Sequence, residues 1–237
     1  MTRALTRTTF HSSRLVRILS NLAVVEPIEP GIAFAQKLGQ WVGITDAISL
    51  HAAHTAIPTG KLSVTPSGAG VAISEEFARM RSALEDSIKK RGLPVDVGTV
   101  YEPYRRYYLA HQRDMDLKVR SWRTKVREVL MKASPALTQL AALDAALDGI
   151  LVARESKLLS TVPSLLEKRF EQLLKAHQQR LMQTNQADHP DFWMKPGGWL
   201  ARFCNEIQTV LLAELDVRLQ PTVGLLEALH NEKTKQL

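Results

Sequence analysis

Asp46, His51 and His54 fall within nine residues of WVGITDAISLHAAH (41–54), and carboxylate and imidazole groups this close together are the raw material of a metal or general-base site. Two histidines three apart share one face of a helix. A metal centre needs three or four convergent, oriented ligands, however, and the zincin pattern sets its histidines four apart with a glutamate between them. That glutamate is absent, and Asp46 stands where a helix cap is expected, its carboxylate serving backbone N–H groups. Ile44, Ile48 and Ala52 mark the expected buried stripe, with the histidines beside it. Asp46, His51 and His54 are therefore weak metal candidates, and no cofactor is expected.

Other chemistry-bearing residues read in the same way. Asp144 and Asp148 are paired carboxylates at i, i+4. Bundle di-metal sites combine inward glutamates with Glu-x-x-His motifs on neighbouring helices; the chain is expected to hold no such motif, and the pair to face solvent or a basic neighbour. His177 falls on the apolar face of its helix and is expected to be hydrogen-bonded in the core. Cys204 is the only cysteine; it excludes an intramolecular disulfide and a multi-cysteine zinc site, and among apolar neighbours it reads as a core residue. No G-x-S-x-G elbow, P-loop or Rossmann glycine pattern occurs, and the glycines of PSGAG (66–70) follow no strand. No catalytic residue is assigned and no enzymatic activity is expected.

Charge points elsewhere. The net charge is +7, and between Tyr104 and Lys132 nine Arg or Lys stand against three acids. Arg106, Arg113, Arg120 and Arg127 recur every seven residues, with Arg123 and Lys125 widening the ridge. They trail an apolar seam by two positions, about 200° around a helix, so they are expected to point away from it. Such a ridge suits an acidic protein or membrane surface, phosphates of a nucleic acid, or solvent alone.

The elements that position these residues are helical. Residues 12–25 place Leu15, Ile18, Leu19 and Leu22 at helical intervals, and Phe34, Leu38 and Trp41 stripe a second segment. PTGKLSVTPSGAGVAI (58–73) reads as a mobile linker, and Ser74-Glu75-Glu76 as the next helix start, running to Lys90. Tyr108, Met115, Trp122 and Val129, with Val119, Val126 and Ala133, form a heptad seam in a helix over 104–133, about 45 Å long at ~1.5 Å per residue. Further long helices are expected over 135–161, 163–184 and 199–220, with Pro221 restarting a short one, and NQADHPDFWMKPGG (185–198) as a loop. Trp41, Trp122, Phe192, Trp193 and Trp199 are candidate partner anchors. The least polar long segment, 136–153, carries Asp144 and Asp148, too costly for an unpartnered membrane span. The first 25 residues hold four Arg and no acid, as a transit peptide would, but lack the apolar core of a secretory signal; they read as a flexible tip of a cytosolic protein.

Phe34, Leu38, Trp41 and the run Thr45-Asp46-Ala47-Ile48-Ser49-Leu50, preceded by Arg14-Leu15-Val16 and Leu19, resemble a proteobacterial family catalogued as domain of unknown function 3348. The likeness is specific over residues 12–54 and implies no activity. It implies a setting: members are encoded near ion-driven membrane proteins of the MotA/TolQ type and OmpA-like partners, where a cytosolic helical accessory would fit. The expected architecture is all-α: a small N-terminal helical subdomain (12–57), the linker, and an elongated antiparallel bundle of coiled-coil-like helices over 74–237. The expected function is that of a helical interaction or scaffold protein with a protein partner or a second copy. Nucleic-acid binding through the arginine ridge is the alternative.

Overall fold

A computed structural model describes residues 14–22, 41–55, 69–90 and 99–235. Residues 1–13 of the transit-like tip, the Phe34–Leu38 stripe and most of the 58–73 linker lie outside the described residues. Within them the protein is all-α, with helices α1 (Arg14–Asn21), α2 (Ile44–Thr55), α3 (Ala69–Lys90), α4 (Glu102–Met131), α5 (Pro135–Leu159), α6 (Val162–Thr184) and α7 (Trp199–Lys235), and no strand.

α7 is the hub. Trp199, Phe203, Ile207, Val210, Leu211, Leu215 and Leu219 are buried, together with residues on its other faces such as Leu200, Cys204 and Ala213. A helix apolar around much of its circumference must be surrounded, and α1, α3, α4, α5 and α6 all pack against it. Pro221 lies inside α7 and does not restart a helix there. Thr222, Leu225, Leu226 and Leu229 beyond it are buried, so packing carries the helix past its missing N–H.

α4 buries Tyr104, Tyr108, Met115, Val119, Val126 and Leu130. The heptad positions thus face the core, with Trp122 and Val129 packed at its margin. α3 begins at Ala69, earlier than Ser74. The Ser74 hydroxyl donates to the Gly70 carbonyl, 2.9 Å, so it lies within the helix, and burial of Ile73 draws the preceding turn into helical form.

Ser134 caps α5, its hydroxyl accepting from the Leu137 N–H, with Pro135 in the first turn. The α5–α6 junction is not a hairpin. Ser160 and Thr161 keep right-handed helical dihedrals, and the two helices follow end to end. Pro163 breaks the ladder there because it has no N–H for the Leu159 carbonyl. Gln112 on α4 fills that place, its Nε2 donating to Leu159 at 3.1 Å, while the Tyr101 hydroxyl donates to the Pro163 carbonyl at 2.6 Å.

α1 joins the core through Leu15 and Leu22. Asp216 of α7 accepts from Arg14 of α1 (2.9 Å) and Arg81 of α3 (3.1 Å). α2 lies on α5.

Candidate functional site

The aspartate–histidine stretch assembles no metal site. Asp46 Oδ2 accepts from the Gly43 N–H at 2.9 Å, the backward half of a capping box, and His51 and His54 are exposed. Among the described residues no group of three His, Cys, Asp or Glu could hold a metal. The expectation that the chain holds no Glu-x-x-His motif is incorrect: Glu227 and His230 have that spacing near the end of α7, and both are exposed. The expected stripe of α2 is inverted. Ile44 and Ile48 are 84 % and 64 % exposed and Ala52 is exposed, while Asp46, Leu50 and Ala53 on the opposite face are partly buried. α2 packs on α5, and the Gln139 side chain of α5 donates to the His54 carbonyl.

The arginine ridge is mostly engaged within the molecule. Arg106 pairs with Glu102 (3.3 Å), Arg120 with Asp116 (3.0 Å), and Lys125 with Glu76 of α3. Arg123 and Arg127 do not point into solvent; α5 covers that end of the ridge. Arg123 donates to both oxygens of Asp144 (2.9 and 2.6 Å) and to Asp148 (2.8 Å). Arg127 donates to Asp144 (2.7 Å) and Asp148 (2.6 Å). Burial acts against the Arg127 charge, but the hydrogen bonds it donates to Asp148 and Asp144 outweigh that and hold the guanidinium above its ordinary range. The aspartate pair thus faces a basic neighbour. Of the nine basic residues from 104 to 132, only Arg113 and Lys132 have no ion-pair partner among the described residues.

A second polar cluster lies in the core and was not read from the sequence. Glu214, fully buried in the apolar run of α7, accepts from Tyr108 (2.5 Å), Gln112 (3.2 Å) and Arg218 (2.9 Å). Arg218 also reaches Asp116 (3.1 Å) and Glu155 (3.5 Å), tying α4, α5 and α7 together. Burial, and then the Glu214 carboxylate, push the Tyr108 phenol well above its ordinary value. Its sequence signal was a glutamate in an apolar run with an arginine four residues on.

The third cluster is the α6–α7 loop. Asn185 ends α6 in the left-handed conformation, and a short 3-10 turn, Pro190–Phe192, follows. Asp188 Oδ1 accepts from the Trp193 indole N–H (2.7 Å) and lies 3.0 Å from His177 Nε2. Burial would raise the Asp188 carboxyl, but the Trp193 and His177 hydrogen bonds prevail and hold it below its ordinary value. His177 stacks on Trp199 with ring centroids 5.9 Å apart, and Trp193 meets Trp199 edge-on at 5.5 Å. These groups border an open cavity of about 550 Å³ that also takes in Arg180, Phe192 and Lys195. Of the candidate anchors, Trp199 is buried and Trp41, Trp122 and Trp193 partly so, while Phe192 is 58 % exposed. Cys204 is buried, which pushes its thiol up to about 11.

Fold and clusters together define a helical-bundle protein organised around one central helix. The chain belongs to the family described as protein of unknown function, domain of unknown function 3348, whose model matches residues 1–231. No curated protein and no solved structure matches it.

Proposed function

We propose that this protein is a non-enzymatic interaction protein that packs a helix face against a protein partner. The observation that carries this reading is the apolar layer formed by α2 on α5. The run Pro135–Thr184 is long and apolar enough to cross a membrane by length and composition, yet only 11 % of its most apolar window is buried inside the molecule. Above it, Ile44 and Ile48 turn outward. The aspartates that would make this layer polar are neutralised from beneath by Arg123 and Arg127. Apolar surface that the fold itself covers only in part is what a partner covers further. The setting we propose is a cytosolic accessory of a MotA/TolQ-like envelope complex, on the family resemblance. Nucleic-acid binding has less support, because seven of the nine basic residues around the ridge are already paired.

The test is affinity purification of the tagged full chain from its own cells, beside an Ile44→Asp/Ile48→Asp variant with an unchanged circular-dichroism melt. Proteins captured by the wild type and lost with the variant support the reading, envelope components among them supporting the setting. An identical set from both, with light scattering showing a monomer throughout, would refute it.

A further inference from the structure

The loop joining α6 to α7 is built more firmly than a helix connection requires. Helix pairs in bundles are joined by about 2–8 residues, whereas this connection runs from 185 to 198. It carries left-handed backbone at Asn185 and Gly197, and a glycine at 198 whose Cβ would fall 2.2 Å from the Trp193 carbonyl oxygen. Asp188 ties the loop both to itself, through Trp193, and to α6, through His177.

We propose that the cavity framed by this loop binds a small anionic ligand carrying a planar aromatic ring, of mononucleotide size. At about 550 Å³ the cavity is of the right size, within the range of roughly 300–1,000 Å³ usual for small-molecule sites. Its charge selects the sign. Arg180 and Lys195 line it and have no ion-pair partner among the described residues, while Asp188, the carboxylate among the lining residues, is engaged by Trp193 and His177. Its walls select the shape. Phe192, 58 % exposed, and Trp193 supply ring surface, and Lys195 Nζ lies over the Phe192 ring, 4.0 Å from its centroid, so a cation and aromatic surface adjoin at the cavity wall. Trp199, 4 % exposed and also at the wall, has a buried indole N–H without an acceptor among the described residues. This inference is independent of the α2–α5 layer.

The four tryptophans provide a site-specific readout. In the ¹⁵N-labelled full chain, each indole N–H signal is assigned by a Trp→Phe variant, and AMP, adenosine and inorganic phosphate are titrated separately. AMP should shift the Trp193 and Trp199 signals saturably and leave Trp41 and Trp122 in place. Adenosine, lacking the charge, and phosphate, lacking the ring, should each bind at least roughly tenfold more weakly. Arg180→Glu/Lys195→Glu should weaken AMP by a similar factor while the free-protein indole signals keep their positions, which shows the fold intact. The proposal is overturned if millimolar AMP leaves Trp193 and Trp199 unmoved, if the double variant binds AMP as well as the wild type, or if a short acidic Phe-containing peptide saturates the site and AMP does not.

Discussion

Gln112 donates to two buried acceptors, the Leu159 carbonyl that Pro163 cannot serve and the Glu214 carboxylate. Replacing Gln112 with Ala should lower stability by about 1–3 kcal/mol, the cost of a buried acceptor left unpaired. In a Pro163→Ala background the restored backbone N–H can take the Leu159 carbonyl, so the same change should cost measurably less. A urea-denaturation double-mutant cycle reads the difference, and equal costs would show that Gln112 does not serve the proline's vacated bond. The glycines make an opposite pair. A Cβ at Gly198 meets the Trp193 backbone at 2.2 Å, whereas one at Gly149 meets nothing within 4 Å. Gly198→Ala should displace the Trp193 and Trp199 indole signals and destabilise the protein. Gly149→Ala should stabilise it by about 0.5–1 kcal/mol through helix propensity alone, as read by thermal melting.

The helices differ in how much of their placement periodicity could reveal. The α4 seam was legible because Tyr108, Met115, Val119 and Val126 repeat with a helical period and nothing competes with them. The α2 face was not. Ile44-Ile48-Ala52 and Asp46-Leu50-Ala53 are alternative stripes on a short helix, and only the surface of α5 selects between them. The start of α3 and the continuation of α7 through Pro221 were hidden for a related reason: local rules favour a break, and buried Ile73, Leu225 and Leu229 override them. Arg123 and Arg127 were placed correctly on α4 but not recognised as the floor under α5, because the matching aspartates lie a helix away. That four-charge clamp sits in an interface where the arginines are 13 % and 14 % exposed. Asp144→Ala/Asp148→Ala strands both guanidinium groups and should cost about 3–5 kcal/mol in urea denaturation. Glu102→Ala, which breaks only exposed pairs, should cost less than about 1 kcal/mol. Similar losses from both would mean that the clamp is a surface feature.

On the scale of the molecule, one helix gathers the others, and ion pairs at its margins decide how the bundle responds to acid. Asp216 holds α1 and α3 to α7, and Glu206 holds α6 to α7, accepting two bonds from Arg169 at 2.8 Å and one from Arg202 at 3.0 Å. Burial would raise the Glu206 carboxyl, but the hydrogen bonds from Arg169 and then Arg202 outweigh it and hold it below its ordinary value. Asp188 in the α6–α7 loop is likewise held below its ordinary value by Trp193 and His177. A carboxylate depressed on folding binds fewer protons folded than unfolded, so its stabilisation is complete above its ordinary value and is lost as pH falls through the folded one. Both groups tie α6 or its loop to the rest of the bundle, so the α6–α7 end should loosen first on acidification. Urea denaturation from pH 7 to 3 should show stability flat to about pH 5 and falling below it. Glu206→Gln should lower stability at pH 7 by about 1–2 kcal/mol and make the fall shallower, since one titrating group has been removed. An equally steep fall in the variant would assign the acid sensitivity to groups other than Glu206.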